Sequence, residues 1–325
     1  MTELLVGGYT ADAGGSARGI GRARIAPDGS LEYRGLAAEA DSPSWLLVHE
    51  GVVYAALEAA NRLGAWRIVD DRLEPLGEVA TPGEAPCHLA VANGRLLAAN
   101  YLDGALTVHR IRSDGSLDEV SQRLAGSGSG PLSAQQGPHA HHVLPLPDGR
   151  VLAADLGADR MLVHRWEADR LVLVAEVALP SGCGPRDLVA LPDGRIALLG
   201  EWDGTVHLLA PDGDSFRLVA SLPLPGREGS QAAGLRPAHR GSLLVAGLRG
   251  ADAVVSVAVD PLEVRATVPS GGHWPRHLLV DDETVYVSNQ LGDSVAGFRI
   301  AADGALAPLG APAAVPSPTC LAVVG

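Results

Sequence analysis

The chain has 325 residues, with 38 acidic and 25 basic side chains, giving a formal charge of −13. That balance excludes nucleic acid as the main partner, because phosphate recognition needs a basic footprint. All 25 cations are arginine, so chemistry that rests on a Schiff-base, P-loop or kinase-type lysine is excluded as well.

No apolar run approaches the ~18 residues of a membrane span. The N-terminus, Met1-Thr2-Glu3-Leu4-Leu5-Val6-Gly7-Gly8-Tyr9, lacks the basic start and long apolar core of a signal peptide and reads as a strand. Cys87, Cys183 and Cys320 are too few and too scattered for a disulfide framework, so a cytoplasmic location is expected. Length alone suggests about two domains.

In chain order, one phrase recurs: a Pro-led apolar run, a tight turn, a second apolar run, a polar elbow and a third strand. Its first elbow, Gly8-Tyr9-Thr10-Ala11-Asp12, is lengthened by a Gly/Ser-rich insertion. Further Pro-led copies begin near Ser42-Pro43 and Ala85-Pro86. Residues 124–136 form one loose stretch, expected to be a surface loop.

The clearest copy follows, from Gly137-Pro138-His139-Ala140-His141-His142-Val143 through the turn Pro147-Asp148-Gly149-Arg150 to Val151–Leu156. The next runs from Gly184-Pro185-Arg186-Asp187-Leu188 through Pro192-Asp193-Gly194-Arg195 to Glu201. Both Asp-Gly pairs read as two-residue hairpin turns. Later copies start near Gln231-Ala232 and Trp274-Pro275, and Asp28-Gly29, Asp114-Gly115 and Asp303-Gly304 precede outer strands.

Elbow blocks starting at Leu57, Asn100, Asp155, Gly200, Leu248 and Asn289 align without a gap. Seven copies at a mean spacing of about 46 residues, each with four short strands, make an all-β seven-bladed β-propeller. The two-domain expectation from length gives way to a single domain over 1–325. The first copy lacks an inner strand, and a spare Pro-led strand, Ser317-Pro318-Thr319-Cys320-Leu321-Ala322-Val323-Val324, stands at the other end. The C-terminal strand is therefore expected to complete the first blade and close the ring, which removes free sheet edges.

Superposing the copies gathers the reactive residues. His141 and Arg186 both stand eight residues before the glycine of the following Asp-Gly turn, at the start of an innermost strand. Arg276, Cys87 and Ser44 share that position by the Pro-led pattern. The second elbow position holds Glu58, Tyr101, Leu156, Glu201, Arg249 and Gln290. Antiparallel pairing puts both positions at the same end of each blade. A ring of His141, Arg186, Arg249, Arg276, Glu58 and Glu201 is thus expected around one channel mouth, where such charges need one another or a ligand.

The phrases Gly137–Val143, Ala154-Asp155-Leu156-Gly157-Ala158-Asp159-Arg160, Gly184–Leu188 and Trp274-Pro275-Arg276-His277-Leu278 resemble the seven-bladed propeller lactonases. That family includes the propeller-type 6-phosphogluconolactonase and the carboxymuconate lactonizing enzyme. The resemblance runs from Val6 to Cys320. It implies catalytic roles for His141, Arg186 and Glu201, and a substrate-acid contact for Arg249. The chain departs from the family pattern at Pro185-Arg186-Asp187, where blades often read Pro-Arg-His, and at Gly247-Leu248-Arg249, in place of Ser-Asn-Arg.

Lactone hydrolysis needs a base for water, positive charge for the oxyanion and an acid for the leaving alkoxide. Glu201 is the expected base, Arg186 its orienting partner and His141 the second proton-transfer group. Arg249 and Arg276 offer forked donors to a substrate acid group, with Glu58, Gln290 and Asn289 beside them. The bland alternatives are a structural Glu–Arg pair and a packed core histidine.

For metals, His139 and His141 share a strand face while His142 is expected to point the opposite way, which leaves zinc one ligand short. Asn100, Asp155 and Asn289 share the first elbow position and are the calcium alternative. The expectation is a metal-independent enzyme without a cofactor. It acts on a small acidic lactone, binds no nucleic acid or membrane, and is a monomer or weak homodimer. A muconate-type cycloisomerase and a non-catalytic scaffold are the competing readings.

Overall fold

The computed structural model describes residues 1–226 and 231–324. It is a ring of seven antiparallel sheets. The first blade pairs Pro318–Val323 with Thr2–Gly8, followed by Gly19–Ile25 and Leu31–Glu39, so the C-terminal strand closes the ring as expected. In the other blades the innermost strands are Pro43–His49, Pro86–Ala92, Ala140–Pro145, Pro185–Ala190, Ala232–Ala238 and Pro275–Asp281. Each innermost strand packs against its counterparts in the two neighbouring blades around the axis.

The blades adhere through aliphatic side chains. Between the fifth and sixth blades, Leu199, Val206, Leu235, Leu244, Leu248 and Val255 form one buried cluster. A Leu or Val side chain removed from water in this way contributes about 1.5–3 kcal/mol. With two phenylalanines in the whole chain, leucine, valine and alanine carry most of this burden.

The elbow alignment has a conformational cause. The fifth position of the six gapless blocks is Asn61, Gly104, Asp159, Gly204, Asp252 or Asp293, and all six are left-handed, with φ between 45° and 66°. Only Asn, Asp and Gly enter that region cheaply. The bent elbow then staples the next blade. Asn61 accepts the N–H of Ala85 at 2.7 Å, Asp159 that of Gly184 at 2.9 Å, Asp252 that of Trp274 at 2.8 Å and Asp293 that of Ser317 at 2.7 Å. Each N–H belongs to the residue before a strand-opening proline.

The Asp-Gly turns differ from the two-residue reading. Leu146 and Arg150 close a three-residue loop through a 2.8 Å backbone bond, and Gly149 alone has positive φ, at 86°. A two-residue type I′ turn needs positive φ at both central positions, whereas a type I turn followed by one left-handed glycine needs a single one. Asp148 Oδ1 accepts the Arg150 N–H at 3.0 Å and fixes the turn.

The loose stretch carries no strand from 125 to 139. It is pinned at Gln135, fully buried, which donates to Leu156 O at 2.8 Å and to Asp159 Oδ1 at 2.7 Å. Asp159 thereby gathers Gln135, Gly182 N and Gly184 N on one carboxylate. Asp159→Ala, which orphans these donors, is expected to cost about 2–4 kcal/mol in urea unfolding. A loss below about 1 kcal/mol would show that the staple contributes little.

Candidate active site

One feature of the innermost strands positions the channel residues that those strands carry. At the start of each of the seven, the pairing skips a residue: Ser44, Cys87, His141, Arg186, Ala233, Arg276 and Thr319 each sit in a β-bulge. A bulge breaks the two-residue alternation, so two successive side chains can face the same way. Both His141 and His142 therefore line the central cavity, as do Arg186 with Asp187 and Arg276 with His277. The expectation that His142 points away from the channel is corrected by this bulge.

The upper tier carries the expected ring. Glu201, 3% exposed, is held by two guanidiniums: Arg186 Nη1 binds Oε2, and Arg249 Nη2 lies 2.6 Å from Oε1. Arg186 Nε also donates to Ala233 O at 2.9 Å, and Arg249 stacks over Trp274 with its guanidinium carbon 5.4 Å from the ring centroid. Burial works to raise the Glu201 pKa, yet Arg186 and Arg249 outweigh it and hold the carboxyl below its ordinary value. Burial, reinforced by the nearby Arg186, lowers Arg249 to about 10.

A second cluster completes the mouth. Tyr9 Oη donates to Glu58 with 2.9 Å to each carboxylate oxygen, and Arg276 Nη2 donates to Tyr9 Oη at 2.7 Å. Arg276 Nη1 stands 3.4 Å from Gln290 Oε1, and Glu58 Oε2 lies 3.9 Å from Arg276. Tyr9 occupies the second position of the first elbow, where the Gly8-Tyr9 phrase could have flagged it.

His141 lies between the clusters, edge-on to Tyr101 at 5.8 Å. Its imidazole makes no hydrogen bond among the described residues. Burial first, then the charges of Arg186, Arg276 and Arg249, push its pKa well below the usual histidine value. At neutral pH His141 is a neutral imidazole among three cations.

The site expectations divide. His141, Arg186, Glu201 and Arg249 come together, as do Arg276, Glu58 and Gln290. Asn289 does not join them. It is fully buried, donates from Nδ2 to Ser270 O at 3.2 Å and packs against Gly272, because the first elbow position faces the interblade connection. Asn100 does the same beneath Thr81 and Gly83, and Asp155 accepts the His139 N–H at 2.9 Å. His139 turns to Tyr101, with Nδ1 2.7 Å from its carbonyl oxygen. Among the described residues no group of three or more His, Cys, Asp or Glu side chains is placed to hold a metal ion. Cys87 is buried, with Sγ 3.6 Å from Ala140 O, and burial raises its pKa far beyond the range of a reactive thiolate.

The lower tier was not anticipated. His142 Nδ1 lies 2.7 Å from Asp187 Oδ1, and Asp187 Oδ2 accepts from Arg236 Nη1 at 2.8 Å and Leu235 N at 2.9 Å. His88 stacks on His142 at 3.8 Å, and Trp45 packs against both His88 and His277 at 4.1 and 5.3 Å.

The family described as Lactonase, 7-bladed beta-propeller matches residues 3–323. A 6-phosphogluconolactonase of Bacillus subtilis is 26% identical over 308 residues, 88% of each chain. A periplasmic gluconolactonase of Pseudomonas aeruginosa superposes with a TM-score of 0.91 at 28% identity, covering 100% of this chain and 99% of that one. A protein of Lactobacillus plantarum does so at 0.93 and 27%, with 100% and 99% covered.

The lower tier makes stability sensitive to mild acid. Burial lowers His277 to about 3 and drives His88 well below the usual value, and outside the tier it lowers His164, held against Val151 O in the fourth blade, to about 4. Below pH ~6.5 the unfolded chain binds protons that these imidazoles refuse, each removing up to about 1.4 kcal/mol per pH unit. Asp187 and Glu201 are lowered carboxylates whose contribution persists until far more acidic pH. The urea midpoint is therefore expected to fall between pH 7 and 5, above the carboxylate range; a flat midpoint there would refute the assignment.

Proposed function

The chain belongs to the seven-bladed β-propeller lactonase family, and on that premise we propose that it hydrolyses sugar lactones bearing an acidic group, without a metal. The observation that supports this reading is the convergence of His141, Arg186, Arg249 and Arg276 on one channel mouth. Three guanidiniums face two carboxylates there, Glu201 and Glu58, so the mouth of an anionic protein keeps a net positive charge.

Opening an ester requires donors aimed at the oxygen where charge develops. Arg186 spends Nε on Ala233 and Nη1 on Glu201, and its Nη2 makes no bond among the described residues. His141, neutral and without an internal partner, polarises the lactone carbonyl as a hydrogen-bond donor, a use to which lowered-pKa imidazoles are suited. Arg249 and Arg276 receive the acid group of the substrate.

Glu201, expected as the base, has both oxygens engaged by guanidiniums and a depressed proton affinity. It acts as the anchor that stops Arg186 and Arg249 from repelling one another. Two relatives are named for a phosphorylated and an unphosphorylated gluconolactone, and of these the phosphorylated sugar carries the anion that forked arginine donors would receive. Three free, buried cysteines support a reducing, cytoplasmic setting for this chain.

A pH-stat screen of gluconolactone, 6-phosphogluconolactone and muconolactones is expected to reveal δ-lactone hydrolysis that chelator leaves unchanged. His141→Ala and Glu201→Gln are each expected to lower kcat/KM by about 10²-fold or more. If no lactone is turned over, the hydrolase reading fails; if both variants match an active wild type, the roles given to His141 and Glu201 fail. Loss of activity with chelator would remove the metal-free part alone.

A further inference from the structure

Beneath the mouth, between the two tiers, lies a cavity of about 30 Å³. That is room for one or two water molecules and too little for a sugar. Three buried polar atoms of residues in its lining, Ser44 Oγ, Trp45 Nε1 and Thr319 Oγ1, have no hydrogen-bond partner among the described residues. A small cavity with orphaned polar walls is a water site.

The protonation pattern around this cavity can be derived from partners. His88 Nδ1 accepts the Val143 N–H at 3.3 Å, and His277 Nδ1 accepts the Leu321 N–H at 3.2 Å. With Nδ1 an acceptor, each neutral ring carries its hydrogen on Nε2. His142 stands at the equivalent place in its own blade, yet its Nδ1 meets the Asp187 carboxylate at 2.7 Å. An ionised carboxylate only accepts, so here Nδ1 carries the hydrogen, and in the neutral ring Nε2 holds the lone pair. Nε2 makes no hydrogen bond among the described residues. Three histidines on one ring thus present two donors and a single acceptor, and Asp187 causes the difference.

We infer that His142 is the catalytic base that activates the attacking water in this cavity, with Asp187 as its positioning residue. This rests on the lactonase reading above. A base needs a free lone pair and a third group to orient it. His142 has both, whereas His141 has no orienting acceptor. Asp187 is itself fixed by Arg236 and the Leu235 N–H. Burial works to raise the pKa of Asp187, but Arg236 and His142 outweigh it and keep the carboxyl well below its ordinary value, hence ionised.

The step balances with water as the sole co-reactant. His142 Nε2 takes a proton as the water oxygen bonds to the lactone carbonyl carbon, and the carbonyl π pair moves onto oxygen beneath the arginines. Collapse breaks the bond to the ring oxygen, which receives the proton from the His142 imidazolium. The product is the open hydroxy acid.

The test is lactone hydrolysis by the full chain carrying His142→Gln, His142→Gly or Asp187→Asn, with thermal unfolding measured alongside. His142→Gln, which can still bond Asp187, is expected to lower kcat about 10²–10⁴-fold with KM within threefold. Asp187→Asn is expected to lower kcat to a similar degree, since the ring loses its enforced tautomer. Free imidazole is expected to restore part of the His142→Gly activity, a recovery that a packing role would not give. If wild type is active and His142→Gln keeps kcat within threefold, the base assignment is overturned and the hydrolase reading stands. A stably folded His142→Gly that imidazole fails to rescue overturns it too. If His142→Gly does not fold, the kcat of His142→Gln decides. A wild type inert on every lactone overturns both.

Discussion

The whole channel depends on one extra residue at the start of each innermost strand. Regular pleating would send alternate side chains into the interblade core, and a single ring of seven groups would face the axis. The bulge lets two neighbours face the axis, so the sequence pairs His141-His142, Arg186-Asp187 and Arg276-His277 build two stacked tiers of opposite character. The upper one is a cluster of arginines and carboxylates; the lower one is aromatic and mostly neutral. Where the sixth blade offers only Ala233 and Gly234, Arg236 and Arg249 extend into the space from the same blade.

Arginine is the cation that such crowding requires. Arg186 uses separate nitrogens for a backbone carbonyl and a carboxylate, and Arg249 forms an ion pair with Glu201 while stacking on Trp274. A planar fork with five donors can be held from several sides and still present a free edge, which an ammonium cannot. Glu201 between two such forks reduces the repulsion that would otherwise spread them. The anionic exterior and the cationic mouth are therefore parts of one arrangement.

The ring, its closure and the elbow alignment were legible in the sequence because each rests on local chemistry. A left-handed Asn, Asp or Gly recurs at a fixed place, and Pro-led strands follow it. His141, Arg186, Glu201 and Arg249 could be brought together from that alignment alone. What escaped was set by contacts that alignment does not encode. Asp-Gly was read as a two-residue turn, although the count of positive-φ residues depends on backbone pairing across the loop. The face that His142 presents is set by a bulge, which leaves no sequence mark beyond the register it shifts. Asn289 stays out of the channel because the first elbow position packs under the interblade connection, which the repeat alignment does not encode. The lower tier rests on contacts between blades, His142 with Asp187 and His88 with His142, that no repeat alignment encodes.

The strand that closes the ring also furnishes the channel. Pro318–Val323 lies nearest the axis in the first blade, clasped by Thr2–Gly8, and it sets Thr319 in the wall shared with His142. The clasp of the fold thus also supplies one residue of the cavity wall. Opening the ring at this seam would take Thr319 out of the lining, so the cavity is complete only in the closed ring.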